Sequence, residues 1–228
     1  MDVKRVYSIA IDGPAGAGKS TIAKRVAALL EFIYVDTGAI YRTVGYHMDL
    51  MGIGPKDTDG INRLLDDVNL EIQYGQDGLQ HMILNGRDVT GEIRTPEMSK
   101  IASAISAQKV VRDFLLDMQR DMARKNNVIM DGRDIGTVVL PGADVKIFLT
   151  ASPEVRAARR LKELLEKGEK AEMKTVLEDI RQRDYQDSTR AIAPLKKAQD
   201  AIEVDTSQMD LEQAVRVVVD LVRQRIAR

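Results

Sequence analysis

The most informative segment of the sequence is IDGPAGAGKST, Ile11–Thr21. It fits the pattern G-x-x-x-x-G-K-[ST], whose fixed positions are taken by Gly13, Gly18, Lys19 and Ser20. Glycines let the backbone turn its N–H groups inward around an anion, and a following helix adds the positive end of its dipole. We expect Lys19 to contact the β- and γ-phosphates of a nucleotide, and the Ser20 hydroxyl to hold Mg²⁺.

The flanking sequence supplies the context that this motif requires. A mostly apolar run, Val6–Ile11, precedes the loop and predicts a buried strand. Apolar residues at helical spacing follow the loop: Ile22, Ala23, Val26, Ala27 and Leu30. Strand, loop and helix together favour a phosphate loop over a flexible glycine turn. The predicted ATP-binding residues are Gly13, Pro14, Ala15, Gly16, Ala17, Gly18, Lys19, Ser20 and Thr21.

Composition excludes several functional classes. The 228 residues carry a formal net charge of -1, which argues against a general nucleic-acid or membrane surface. No cysteine is present, so disulfides, thiolate zinc sites and a cysteine nucleophile are excluded, and the two histidines stand alone in the sequence. The short apolar run at the start resembles no signal peptide, and no segment approaches the ~20 apolar residues of a membrane span. We therefore expect a cytoplasmic protein.

Strands and helices alternate along most of the chain. Four further apolar runs predict strands: Phe32–Val35, Val128–Met130, Val145–Leu149 and Ala201–Val204. The helical patterns are Glu97–Arg124, Pro153–Lys167, Lys174–Ser188 and Asp210–Ile226. Alternation of this kind predicts an α/β P-loop core, with a five-stranded parallel sheet covered by helices on both faces.

One region departs from this alternation. Asn69–Thr90 has period-two patterning, with turn signals at 76–78 and 85–86, which predicts a small antiparallel insert. We assign residues 1–62 and 93–228 to the core and 63–92 to the insert, although an ornamental insertion would have the same pattern. The charged stretch 168–174 suits a mobile lid, taken as about 156–174, and equally suits a solvated turn.

Polar residues follow the predicted strands at the edge where ligands bind in α/β sheets. In VDTGAIYR (35–42) and IMDGRDIGTVV (129–139), Asp131 is placed like the acid that helps hold Mg²⁺ in P-loop proteins. The predicted metal site comprises Ser20, Asp36 and Asp131. Arg42 and Arg133 at neighbouring strand ends favour a second phosphorylated ligand over surface ion pairs.

Two clusters of charged residues stay ambiguous from spacing. Arg183, Asp187 and Arg190 could share one helix face, but solvated ion pairs have the same spacing and are the favoured interpretation. The same caution covers a second group, in which a solvated basic stripe is the simpler interpretation: Arg156, Arg159 and Arg160.

The motifs, taken in order, closely resemble those of bacterial cytidylate kinases. They are GPAGAGKST, DTGAIYR, GEIRTPE, DGRDIGTVV, VKIFLTAS and RDYQDSTRAIAPL, together with the insert, and they span Ile9 to about Asp205. The resemblance implies a magnesium-dependent enzyme that transfers the γ-phosphate of ATP to CMP or dCMP. It implies an insert that helps bind the monophosphate and a short lid. We also expect a monomer with no nucleic-acid or membrane partner.

The resemblance also implies roles for individual residues. It assigns the CMP phosphate to Thr37, Arg42 and Arg133, although many relatives have serine in place of Thr37. Cytosine falls to Ser103, Arg112 and Asp134, the ribose to Arg183 and Asp187, and Tyr41 and Arg190 complete the CMP site. The implied catalytic residues are Lys19, Arg133, Arg156 and Arg160.

The chemistry is consistent with this family but leaves rivals open. A monophosphate oxygen is already largely ionised at neutral pH, so the lack of a general base is expected. Asp134 as an acceptor would favour the cytosine amine over the uracil carbonyl. A nucleotide switch or regulatory ATPase is the rival from another class, but no N-K-x-D is present, and the D-x-x-G matches 57–60 and 88–91 follow no core strand. A kinase of another phosphorylated small acceptor is the closer rival.

Overall fold

A computed structural model describes residues 5–76, 78–166 and 168–227. Its centre is a five-stranded parallel sheet in the order β2-β6-β1-β7-β8. The strands are β1 (Ser8–Asp12), β2 (Ile33–Asp36), β6 (Val128–Gly132), β7 (Val145–Thr150) and β8 (Ile202–Asp205). The predicted α/β core is confirmed. Asp36 pairs in register with Asp131, and Asp12 pairs with Gly132, the residue after Asp131, so the three carboxylates lie near the carboxyl ends of adjacent strands at one edge.

Helices cover both faces of this sheet. They are α1 (Lys19–Leu30), α2 (Thr37–Leu50), α3 (Thr58–Asp67), α4 (Pro96–Ile105), α5 (Lys109–Lys125), α6 (Pro153–Glu166), α7 (Met173–Thr189) and α8 (Leu211–Ile226). On β1, Ile9 and Ile11 pack with α1 and α8, whereas Ala10 packs with α2, α3 and α5. Burial on both faces explains the unbroken apolar runs of these strands. Among the described residues, no helix is both long and apolar enough to cross a bilayer.

A second, antiparallel sheet lies between α3 and α4, as predicted. It consists of β3 (Leu70–Tyr74), β4 (Gln80–Leu84) and β5 (Arg87–Asp88), in that order. Asn85 and Gly86 connect β4 to β5 with positive φ angles of 48° and 80°, as a two-residue type I′ hairpin requires. Asp77 of the other predicted turn lies outside the described residues.

Several predicted boundaries were wrong. The single helix predicted over 97–124 is two helices, because Gln108 has an extended backbone. The Ser103 carbonyl accepts from the Ser106 hydroxyl, and the Ala107 N–H donates to the Ala104 carbonyl instead. Helices α2 and α3 were not predicted as elements. Helix α7 begins at Met173, so the connection from α6 is shorter than 168–174. Lys167, the last residue of another predicted helix, lies outside the described residues.

Candidate active site at the carboxyl edge of the sheet

The loop between β1 and α1 has the conformation that its glycines predict. Gly13 has a φ of 151°, and a Cβ there would lie 1.9 Å from the Leu149 carbonyl oxygen, so no other residue fits. Gly18 begins α1 with a φ of 85°, in the left-handed region. Predicted loop residues differ in exposure: Pro14, Ala15 and Ala17 are buried, whereas Gly16, Ser20 and Thr21 are exposed.

Lys19 is buried at the base of this loop. Its Nζ donates to the Pro14 carbonyl at 2.8 Å, and its side chain is almost wholly removed from solvent. Burial lowers the pKa of Lys19 well below its usual value, and the neighbouring charge of Arg133 lowers it further. The phosphate-loop lysine therefore lies within electrostatic reach of an arginine predicted to bind the second ligand.

Ser20 and Asp131 form a pair of oxygen donors beside the loop. The Ser20 hydroxyl donates to Asp131 Oδ2 at 2.9 Å, and the Tyr34 hydroxyl donates to Oδ1 at 2.8 Å. Burial, and then the charge of Asp36, raise the pKa of Asp131 to about 6. Hydroxyl and carboxylate oxygens are the hard ligands that Mg²⁺ prefers, so the pair fits this ion.

The third predicted metal residue is engaged with protein groups. Asp36 caps α2 by accepting from the Ala39 N–H at 2.9 Å, and its other oxygen accepts from Arg42 at 3.0 Å. Within 5–76, 78–166 and 168–227, no cluster of three or more His, Cys, Asp or Glu residues is placed to hold a metal. A metal here would therefore draw most of its ligands from phosphates and water, as Mg²⁺ commonly does.

A cluster of cationic side chains faces the loop from β6, α2 and α7. Arg183 is at its centre, and burial lowers its pKa to about 10, assisted by the charges of Arg133, Arg42 and Arg160. The Nε atoms of Arg42 and Arg183 are buried without a hydrogen-bond partner. Mutually repelling, incompletely paired cations are unfavourable in the ligand-free protein, and a bound anion would relieve the repulsion.

Asp187 supplies part of the compensating charge. It is buried on α7 and accepts from Arg133 Nε at 2.9 Å, so the interpretation of 183–190 as solvated ion pairs was wrong. Arg190 follows the last residue of α7 rather than sharing its face. Thr37, predicted to touch the same phosphate, donates its hydroxyl to the Asp131 carbonyl at 2.7 Å.

A largely buried polar cluster that contains Asp134, Arg112 and Arg190 lies beside these cations. Asp134 is buried and pairs with Arg112, and it accepts from Arg190 NH2 at 3.2 Å. Burial nevertheless raises the pKa of Asp134. The Tyr41 ring lies 5.8 Å from the Arg112 guanidinium, and burial raises the pKa of Tyr41 to about 12.

Ser106 belongs to this polar cluster and was not predicted from the sequence. Its hydroxyl accepts from Arg190 NH1 at 2.8 Å, and its carbonyl accepts from Arg112 NH1 at 3.1 Å. The Ser106 hydroxyl also donates to the carbonyl of the predicted residue Ser103, which is half-buried. The predicted continuous helix concealed this residue, because its role depends on the break between α4 and α5.

The three arginines of the predicted basic stripe have different environments. Arg156 is buried and donates to the Ala15 carbonyl at 2.9 Å and to Asp184 at 2.6 Å, so it is not part of a solvated stripe. Arg159 donates to the Thr206 carbonyl at 2.8 Å. Arg160 is half-buried, pairs with Glu163 at 3.2 Å, and is the lid arginine whose charge reaches Arg183.

Known proteins resemble this chain over almost its full length. The cytidylate kinase family model matches residues 9–224. A cytidylate kinase of Clostridium tetani is 48% identical over 96% of this chain and 94% of its own length, and one of Carboxydothermus hydrogenoformans is 48% identical over 95% and 97%. A gluconokinase structure from Sinorhizobium meliloti is alike in fold alone, with a TM-score of 0.50 and 15% identity over 98% of this chain and 97% of its own. The chain belongs to the cytidylate kinase family.

Proposed function

We propose that this protein transfers the γ-phosphoryl group of ATP to CMP or dCMP. The observation that carries the proposal is one of placement: Lys19 begins α1 after β1, and Arg133 directly follows β6, so two anion-binding side chains start from the carboxyl ends of paired neighbouring strands. A switch or an ATPase needs the phosphate loop but not the second set of arginines. Family membership favours a cytidine monophosphate as the ligand of that second set.

The transfer needs positioning and charge stabilisation rather than a general base. The acceptor phosphate, held by Arg42, Arg133 and Thr37, presents an ionised oxygen that attacks the γ-phosphorus as the bond to the leaving oxygen breaks. Lys19 and Arg133 stabilise the charge on the transferring group from opposite sides. Mg²⁺, held through Ser20 and Asp131, would neutralise charge on the β- and γ-phosphates when bound.

The lid helices contribute in two ways. Arg156 joins α6 and α7 to the phosphate loop through Ala15 and Asp184, so it holds the lid helices against the donor site. Arg160 pairs with the exposed Glu163, and an exposed pair of this kind is weak, so Arg160 can exchange this partner for the transferring phosphate. Closure of this side would exclude water and suppress ATP hydrolysis.

Asp134 and Arg112 are the groups that would select cytosine. Asp134 can accept from the exocyclic amine, and Arg112 can donate to a ring acceptor. Uracil has a carbonyl in place of the amine, so it would leave the buried carboxylate facing an acceptor, and sites of this kind discriminate strongly. We assign the contacts with the ribose to Arg183 and Asp187.

The proposal extends to partners and setting. Free ATP and CMP or dCMP are its only proposed partners, with Mg²⁺, and a cytoplasmic monomer is the simplest setting for such a reaction. A formal net charge of -1 supports the absence of a nucleic-acid partner.

The test is product analysis with a variant of the phosphate loop. With ATP, Mg²⁺ and CMP, chromatography should show CDP and ADP in equal amounts. Lys19→Ala should reduce the rate by at least about a hundredfold, because it removes a buried cation from the transferring group. Circular dichroism should be unchanged. A folded Lys19→Ala variant with wild-type turnover would contradict the assignment.

A further inference from the structure

We propose that Asp12 is a positioning residue for acceptor recognition: it caps the turn that follows Asp134 and so leaves the Asp134 carboxylate to pair with Arg112 and Arg190, where it can meet the base. This inference rests on the proposed function. Asp12 ends β1, and neither its motif nor the reaction chemistry gives it a role.

The geometry of Asp12 is that of a helix cap supplied from another strand. Its carboxylate is buried, with 4% of the residue exposed. Oδ1 accepts from the Ile135 N–H and Oδ2 from the Gly136 N–H, each at 2.7 Å. These N–H groups begin the single π-helical turn Ile135–Val139, and they lie more than 120 residues away in sequence.

Asp134 occupies the position from which a side chain normally caps such a turn. Aspartate is among the preferred residues there because its carboxylate accepts from the first free N–H groups. The Asp134 side chain makes no capping bond and instead meets Arg112 and Arg190. Asp12 therefore supplies the cap that Asp134 would otherwise supply, and the Asp134 side chain turns toward Arg112 and Arg190 instead.

The fit around Asp12 is close. A Cβ on Gly136 would lie 3.4 Å from Asp12 Oδ2 and 3.1 Å from the Lys146 side chain, so the turn packs against both strands. Burial raises the pKa of Asp12 to about 6, although both backbone bonds oppose the shift. An unfavourably buried carboxylate at this position agrees with a functional requirement, since such local conflicts concentrate at functional sites.

Asp12 also joins the two halves of the site. It precedes Gly13 of the phosphate loop, and it pairs in register with Gly132, the residue before Arg133. One side chain thus fixes the turn that carries the acceptor-binding residues relative to the loop that carries the donor. Loss of this cap should displace Asp134 more than Lys19, because Lys19 is held separately by Pro14.

The variant Asp12→Asn tests this directly. An amide oxygen can accept from one N–H group, but the amide nitrogen opposes the other. We expect the KM for CMP to rise at least tenfold, the ratio of kcat/KM for CMP over UMP to fall at least fivefold, and the KM for ATP to stay within twofold.

Asp210→Asn is the matched control. Asp210 caps α8 by accepting from the Gln213 N–H at 2.8 Å, and it is exposed and outside the site. Because asparagine caps a helix about as well as aspartate, this replacement should change neither the melting temperature nor the CMP/UMP ratio appreciably. Should Asp12→Asn fail to fold, Asp12→Glu keeps the carboxylate but moves it by one methylene, and it is measured against the same expectations.

The outcomes separate this inference from the proposed function. Wild-type protein without CMP kinase activity would overturn both. Wild-type activity together with an unchanged CMP/UMP ratio in a folded Asp12 variant would overturn only the positioning role. A KM for ATP that rises as much as the KM for CMP would also overturn it, because the cap would then affect the ATP site and the CMP site equally.

Discussion

Arg183 shows at the scale of one residue how the site trades stability for anion binding. Its guanidinium is buried near Arg133, Arg42 and Arg160, and Asp187 opposes their repulsion. The first and largest cause of its lowered pKa is desolvation. A buried cation with a lowered pKa is typical of a functional site, because a bound anion would offset the unfavourable burial of its charge.

Arg183→Gln should therefore stabilise the ligand-free protein while impairing transfer. We expect the free energy of unfolding to rise by about 1–3 kcal/mol, because a repelled buried cation is removed. The thermal shift caused by CMP should shrink at the same time. Arg181→Gln is the control, since Arg181 is exposed and pairs with Glu154. Denaturant unfolding measures the free energy of unfolding of both variants, and thermal unfolding with and without CMP measures the shift. A destabilised Arg183→Gln variant would contradict the charge argument.

Asp134→Asn should relax the choice between bases. An amide can donate to the uracil carbonyl, whereas a carboxylate cannot, so the kcat/KM ratio of CMP over UMP should fall about tenfold or more. The KM for ATP should change little, because Asp134 faces Arg112 and Arg190 rather than the phosphate loop. An unchanged ratio would remove Asp134 from base recognition.

At the scale of elements, hydrogen bonds join the small sheet to the edge at which we propose that the acceptor binds. The Gln80 side chain of β4 accepts from the Asp36 N–H at 2.7 Å and donates to the Asp36 carbonyl at 3.3 Å. The Tyr74 hydroxyl of β3 donates to the Tyr34 carbonyl at 2.9 Å. Because Asp36 in turn holds Arg42, the insert supports the predicted phosphate contacts.

Gln80→Leu should weaken acceptor binding without abolishing the fold. It keeps the volume of the buried side chain but removes both bonds to the Asp36 backbone, so we expect the KM for CMP to rise several-fold while the KM for ATP is kept. Gln73→Leu is the control, because Gln73 is an exposed residue of the neighbouring strand. Equal effects of the two variants on the KM for CMP would show that the hydrogen bonds from Gln80 to Asp36 do not contribute to acceptor binding.

The elements that sequence patterns predicted are those shaped by local rules. Apolar runs predicted the five core strands, and Asn85-Gly86 predicted a hairpin, because each depends on nearby residues alone. The break at Ser106–Gln108 was missed, since Ser106 is held there by Arg190, which is distant in sequence, as well as by the nearer Arg112. Arg156 was misinterpreted as solvated for the same reason: its partners, Ala15 and Asp184, are distant in sequence.

At the scale of the whole molecule, both anion-binding sites depend on a single sheet edge. The carboxyl ends of β2, β6 and β1 are adjacent, with Asp36 paired to Asp131 and Asp12 paired to Gly132, so the phosphate loop, the Ser20–Asp131 pair and the neighbouring arginines lie at the same edge. Motifs predicted most residues of this edge. Tyr34, Asp12 and Ser106 were not predicted, because their roles arise from the tertiary fold rather than from any pattern of neighbours.

The measurement that tests this account most directly is ADP release with ATP and Mg²⁺ in the presence of each nucleoside monophosphate in turn. We predict rapid release with CMP and dCMP, slow release with UMP, and release at background level with AMP or GMP. Slow release that no monophosphate stimulates would contradict the account, because the arginines of the second site would then have no acceptor to bind.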